Sequence, residues 1–165
     1  MVDTLEKIAE LLDEENRQHG PEAARSLGEK LIRTAQLHMA DAHLSSRIGK
    51  VKDTRATREY LGNISAQALN DRVVKHNILR LKSDSGRNGY PVFQFRDGRV
   101  HPRVQYVVKT LLDAGFSEWG VAYWLTEPIN SEDSRAMISL IDDDEAYEFI
   151  ARRADLDARD RKANS

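Results

Sequence analysis

Residues 54–95 read TRATREYLGNISAQALNDRVVKHNILRLKSDSGRNGYPVFQF, and the punctuation of this segment sets the architecture. Thr54 opens a compact helix over 55–61, closed by Gly62 in the position that follows a last helical turn. After the three-residue turn Gly62-Asn63-Ile64, Ser65 supplies an N-cap for a second helix that reaches His76 or Asn77. Two short helices across so tight a turn predict a helix-turn-helix. Ala56, Tyr60 and Leu61 are the inward positions of its first helix; Ala66, Leu69 and Val73 are those of its second. Ile78-Leu79-Arg80-Leu81 and Tyr90-Pro91-Val92-Phe93-Gln94-Phe95 then read as two strands around a turn-rich 83–89. A β-hairpin directly after such a helix is a wing. Pro91 cannot donate to a ladder, which predicts an edge position for its strand.

On the N-terminal side, Asp3 with Glu6 resembles a capping pair, followed by Leu5, Ile8 and Leu12 at helical spacing. His19-Gly20-Pro21 ends this helix and starts a second, long one. Ala24, Leu27, Leu31, Ala35, His38 and Ala42 form its stripe, widened by Leu37, Leu44 and Ile48, apolar area that suits pairing with a second copy or, alternatively, packing back on the protein's own body as a monomer. Arg47 to Lys52 reads as a short basic link. On the C-terminal side Arg96-Asp97-Gly98-Arg99 is a turn. A helix carrying Val104, Val107, Val108, Leu111 and Leu112 then ends at Gly115. Ser117 caps a helix over 118–125, terminated by Pro128. A further helix starts at Asn130 or Ser131 with Met137, Ile138, Leu140 and Ile141 as its apolar face. Asp142-Asp143-Asp144-Glu145 opens the last helix, with Ala146, Phe149, Ile150 and Ala154 facing inward and fraying expected from Leu156 on. The expected organisation is therefore a mainly α chain with a small β-hairpin: an N-terminal helical segment (1–46), a winged helix-turn-helix (47–99), a C-terminal helical module (100–156) and a frayed tail (157–165).

The chain has 165 residues, 40% hydrophobic and 32% charged, with no Cys. Disulfides, thiolate metal sites and cysteine nucleophiles are excluded. Mean hydropathy is −0.61, no apolar run approaches the length of a bilayer span, and the start at Met1-Val2-Asp3 does not resemble a signal peptide. A cytoplasmic, nucleoid-associated location without membrane contact is expected. The net charge of −2 hides a segregation: residues 1–46 carry 5 Lys/Arg against 9 Asp/Glu, residues 47–109 carry 14 against 5, and residues 110–165 carry 6 against 13. A +9 middle between acidic flanks suits a polyanion partner.

Signals of catalysis are missing. His19, His38, His43, His76 and His101 are scattered, and the five-residue offset of His38 and His43 does not suit a helical metal pair. No GxSxG, Walker or GxGxxG motif occurs, Asp142 to Glu145 lacks the alternation of a calcium loop, and Gly86 and Gly89 lie inside a hairpin. Neither an enzyme nor a cofactor is expected. For duplex DNA the parts agree. Gln67, Asp71 and Lys75 point away from the apolar side of the second helix, with Asn70 and Arg72 on its rims and Ser65 at its start. Gln and Asn pair with adenine, while Arg72 and Lys75 reach guanine or phosphate. Asp71 fits there as an acceptor from cytosine or as a brace for Arg72 or Lys75. Lys82, Arg87 and Asn88 near the wing tip, with Lys52 and Arg55, are expected at the DNA backbone or minor groove.

Leu61-Gly62-Asn63-Ile64-Ser65-Ala66-Gln67-Ala68, Ile78-Leu79-Arg80-Leu81 and Tyr90-Pro91-Val92-Phe93-Gln94-Phe95 resemble the winged-helix part of actinobacterial Xre/MbcA/ParS-type antitoxin-like proteins. Trp119-Gly120-Val121-Ala122-Tyr123-Trp124-Leu125, with Pro128 beyond, is similar to that family's Trp-x-x-Ala-x-Trp-Leu-x-x-Pro signature. The likeness spans about residues 53–154. It implies sequence-specific DNA binding as a homodimer and, in true antitoxins, C-terminal helices that bind a cognate toxin while the operon is autoregulated. The family's Leu-Asp-Gly-x-x-Pro stretch is replaced here by Ile129-Asn130-Ser131-Glu132-Asp133-Ser134, which weighs against toxin binding more than against DNA binding. Two expectations result: a DNA-binding regulator acting as a repressor, or an antitoxin covering a toxin.

Overall fold

The computed structural model describes residues 2–165, and the side chains of 6–34 and 46–165. The protein is mainly helical with a small antiparallel sheet. It divides between Ser45 and Ser46 into two compact units. In the first, α1 (Val2–His19) and α2 (Pro21–Ile48) are separated by Gly20 alone, whose φ of 88° suits glycine. The helices approach closely at Gly28, where a Cβ would lie 3.7 Å from Leu12 Cδ2. Ala24, Leu27 and Leu31 are half-buried, whereas Leu11 and Ile32 are exposed. The side chains of Leu5, Ala35, Leu37, His38, Ala42 and Leu44 lie outside the described residues.

In the second unit the sequence read as a basic link is instead the end of α2 followed by β1 (Val51–Lys52). Ile48 enters the core, so the segment is held by burial rather than left as a tether. Asp53, not Thr54, caps α3 (Thr54–Tyr60), its carboxylate accepting from the Ala56 amide at 2.7 Å. Gly62 (φ 90°) and Asn63 (φ 57°) make the following turn, and Ser65 caps α4 (Ala66–Val74) by accepting from the Ala68 amide. This helix ends short of His76, which itself adopts φ 58°. Two side-chain expectations change. Thr57 is the fully buried residue of α3, its hydroxyl returned to the Asp53 carbonyl, and Ala66, in the first turn of α4, is exposed.

The hairpin strands are β2 (Leu81–Lys82) and β3 (Asn88–Pro91), shorter than the apolar runs suggest, because residues 92–94 turn into a single 3₁₀ turn. The expected edge position of Pro91 is corrected: the order is β1-β3-β2, and β3 is central. Its ladder explains how. The pairings Leu81↔Gly89 and Lys82↔Asn88, continued by two residues, set Leu79 opposite Pro91. A proline there leaves the Leu79 carbonyl without a donor. Gln94, fully buried, supplies one: its Nε2 donates to the carbonyls of Leu79 (2.9 Å) and Pro91 (3.1 Å), and its Oε1 accepts from the Leu79 amide (2.8 Å). The side-chain amide stands in for the missing peptide group.

A second hairpin, expected only as a turn, joins β4 (Phe95–Arg96) to β5 (Arg99–Val100) through Asp97 (φ 51°) and Gly98 (φ 75°). Two positive φ values in a two-residue loop match the twist of the flanking strands. His101, a cap the sequence reading did not anticipate, opens α5 (Pro102–Asp113), which ends near Gly115 as expected, and Ser117 caps α6 (Glu118–Thr126) as expected. The helix expected from Asn130 is absent: the Asn130 side chain accepts from the amides of Glu132 and Asp133, a local turn that competes with helix formation, and only Met137–Leu140 forms a 3₁₀ turn. Capped by Asp143, α7 (Asp144–Ala163) runs through the segment expected to fray. Its end is anchored: Asp157 accepts from Trp124 Nε1 at 2.7 Å, Ala158 is buried, and Arg161 lies over the Phe116 ring. Phe149, expected inward, is exposed, because Ile150 and Ala154 already carry the packed stripe.

Two apolar clusters result. Leu61, Leu69, Val73, Ile78, Tyr90, Phe95 and Val100 join α3 and α4 to one sheet face. Leu79 and Leu81, with Ile48, join the larger cluster formed by α5, α6 and α7. Residues 46–100 and the C-terminal helices therefore share a core.

Candidate nucleic-acid interface

With Leu69 and Val73 buried against Tyr90, the opposite side of α4 faces solvent. Gln67, Asn70, Asp71 and Lys75 are all exposed there; Arg72 is half-buried on the flank, and the Ser65 hydroxyl is occupied by its capping bond. Asp71 braces neither Arg72 nor Lys75. It accepts from Gln67 Nε2 at 2.8 Å, one helical turn earlier.

On the hairpin, Lys82 and Asn88 are direct cross-strand partners, and Lys52 faces Tyr90 on the same side of β3. Lys82 is exposed, and its carbonyl accepts from Trp119 Nε1 at 3.0 Å, which fastens β2 to α6. Arg87 is exposed at the tip, where Ser83 Oγ accepts from its amide. Lys52 lies 4.9 Å above the Tyr60 ring. Arg55 stands apart on α3 and is paired with Glu59 at 2.9 Å. The structure thus groups the α4 residues on one face and Lys82, Arg87 and Asn88 on one hairpin, while Arg55 joins neither. Sequence reading missed Arg80 and Val74. The Arg80 Nε and the Asn88 Oδ1 are buried without a partner, and Val74 is 68% exposed.

Part of the basic segment is neutralised within the protein. Arg96 pairs with Asp142, Arg103 with Asp144, and Lys109 with Asp113, so carboxylates of the C-terminal part cover these cations. Among the described residues Lys52, Arg72, Lys75, Lys82 and Arg87 have no carboxylate partner. The Arg96 guanidinium, and then His101, hold the Asp142 carboxyl below its usual 3.8. Asp113 is lowered likewise by the hydrogen bond from His76, helped by Lys109. His101 is nearly buried; its Nδ1 accepts from the Arg103 amide, so Nε2 carries the proton it donates to Asp142.

A depressed carboxylate stabilises the fold above its unfolded pKa, and that contribution disappears as pH falls through the folded value. Asp142→Asn keeps an acceptor for His101 but removes the charge. Its melting temperature should lie below that of the wild type at pH 7, with the gap closing as pH drops below about 4. Calorimetry between pH 3 and 7 measures this; a gap independent of pH would contradict the assignment.

Among the described residues no group of three His, Asp or Glu converges as a metal site would require, and no helix is long and apolar enough to cross a membrane. A shallow polar pocket of about 350 Å³ between α5 and α7 is lined by Thr110, Asp113, Asp155, Ala158, Arg159 and Lys162, without a nucleophile and base in contact. No family model, curated protein or solved structure matches the chain.

Proposed function

We propose that residues 47–100 act as a winged helix-turn-helix binding double-stranded DNA sequence-specifically, in a transcriptional repressor. The observation that supports this reading is the exposed, unpaired charge at α4 and the hairpin. Arg96, Arg103 and Lys109 are ion-paired to carboxylates, while Lys75, Lys82 and Arg87 are exposed without one, as are Lys50 and Arg99 outside these elements. In this reading α4 enters the major groove with Gln67 and Asn70 at base edges, and Lys75, Lys82 and Arg87 take phosphates. Gln67→Ala and Asn70→Ala should each cost roughly 1–3 kcal/mol at the preferred site and relax one base pair. Lys82→Ala and Arg87→Ala should weaken all sequences alike. Fluorescence anisotropy on genomic-fragment pools and on the preferred site measures both; wing variants that change specificity while helix variants do not would reverse the assignment.

One short recognition helix reads few base pairs, so useful specificity calls for two on one site. Exposed Leu11 and Ile32, beside the half-buried Ala24, Leu27 and Leu31, support pairing of the N-terminal helices into a homodimer. Sedimentation should give a dimer for the full chain and a monomer for a form starting at Arg47; two monomers at tens of micromolar would end the dimer reading. A second reading, an antitoxin whose C-terminal helices cover a toxin, draws support from Phe149 and Leu156, exposed two helical turns apart on α7. It requires a stable complex with the product of a neighbouring gene.

A further inference from the structure

Resting on the DNA reading, we infer that the solvent face of α4 is built to read A·T base pairs, with Val74 as the residue that meets thymine. Val74 is 68% exposed, the highest value among the exposed large hydrophobic side chains described, and the inward work of this helix belongs to Leu69 and Val73. At about 100° per residue, Val74 lies only about 20° from Gln67 around the helix, and Asn70 and Asp71 flank the line joining them. The two ends of this stripe are about 10.5 Å apart along the axis, close to the rise of three base pairs.

The chemistry of the stripe is selective. Gln67 gives one amide N–H to Asp71, which fixes the orientation of the group. What remains free is the second N–H and Oε1, the donor and acceptor that adenine N7 and N6–H₂ require. Asp71 is thereby a positioning residue, its carboxylate engaged rather than bare before the phosphates. Asn70 is exposed, with no protein partner for its amide among the described residues. Guanine is read chiefly by Arg or Lys at O6 and N7. On the line from Gln67 to Val74 there is neither: Arg72 is half-buried on the flank, and Lys75, exposed on the same solvent side, is the C-cap and lies about 80° from Gln67 around the axis, where it suits phosphate. The isopropyl group of Val74 has one matching feature in the major groove, the thymine C5-methyl.

Selection of the full-length protein on a duplex pool with a randomised 24-bp core tests the first half. Enriched duplexes should share runs of at least three A·T pairs in each half-site; convergence on G·C pairs overturns the inference. The second half is read on the enriched duplex by replacing thymines with uracil one at a time, which removes only the methyl. One position should lose about three- to fivefold in affinity with the wild type. The same change should cost almost nothing with Val74→Ala, a variant that leaves the packed side of α4 untouched. An equal uracil effect in both proteins, or none in the wild type, overturns the role of Val74. Duplex binding without sequence preference overturns this inference and leaves DNA binding standing, whereas no binding to any duplex overturns both.

Discussion

Gln94→Ala is expected to destabilise the second unit by about 3–5 kcal/mol, from two or three groups at about 1–3 kcal/mol each. The substitution strips partners from the Leu79 amide, the Leu79 carbonyl and the Pro91 carbonyl, next to a wholly buried Leu79. Gln94→Glu should be as damaging, since it removes both donors and brings a charge into a fully buried position. Gln94→Leu restores volume without polarity and separates cavity from hydrogen bonding. Urea unfolding reports the effect conveniently, because both tryptophans, Trp119 and Trp124, lie in this unit. A midpoint shift worth less than about 1 kcal/mol would mean that water or backbone adjustment replaces the glutamine.

DNA affinity is expected to fall on the order of 10²–10³-fold between 50 and 200 mM salt. Lys52, Arg72, Lys75, Lys82 and Arg87 have no carboxylate to displace, so each phosphate they neutralise releases a counterion. Five such contacts give a log–log slope of about −4.5, and removing Lys75 or Lys82 should flatten it by about 0.9. Arg96→Ala and Arg103→Ala, whose charges are already satisfied by Asp142 and Asp144, should leave the slope unchanged. A flat salt response of the wild type would remove the case for a DNA partner.

Where a boundary was written in short-range chemistry, the sequence was legible. Gly115 after α5, Ser117 as a cap and Gly62 after α3 placed those ends within about a residue or two. What escaped is what depends on distant partners. A two-residue strand such as Val51–Lys52 has no periodicity to detect and exists because β3 offers it a ladder. Pro91 looked like an edge residue because nothing in its own neighbourhood announces that Gln94 will fold back to complete the sheet. The fate of Asn130 was decided by its own amide oxygen, which outcompetes the helix suggested by the apolar spacing of Met137 and Ile141. At the candidate site, the outward set Gln67, Asp71 and Lys75, with Asn70 on the rim, followed from the wheel alone, whereas the Gln67–Asp71 bond depends on side-chain rotamers and Val74 was hidden by its hydrophobicity.

The carboxylates that cover Arg96, Arg103 and Lys109 also make the molecule's field directional. The second unit carries 20 Lys/Arg against 18 Asp/Glu, a net of only +2, and the whole chain carries −2. At separations beyond the Debye length of about 8–10 Å such a particle is nearly invisible to a polyanion. Inside that range the attraction depends on which side leads: Lys75, Lys82 and Arg87 pull, while the flank bearing Asp143, Glu145 and Glu148 repels. Encounters with a duplex would therefore be few but sorted by rotation before contact, so the charge arrangement would act on the orientation of docking more than on the frequency of collision.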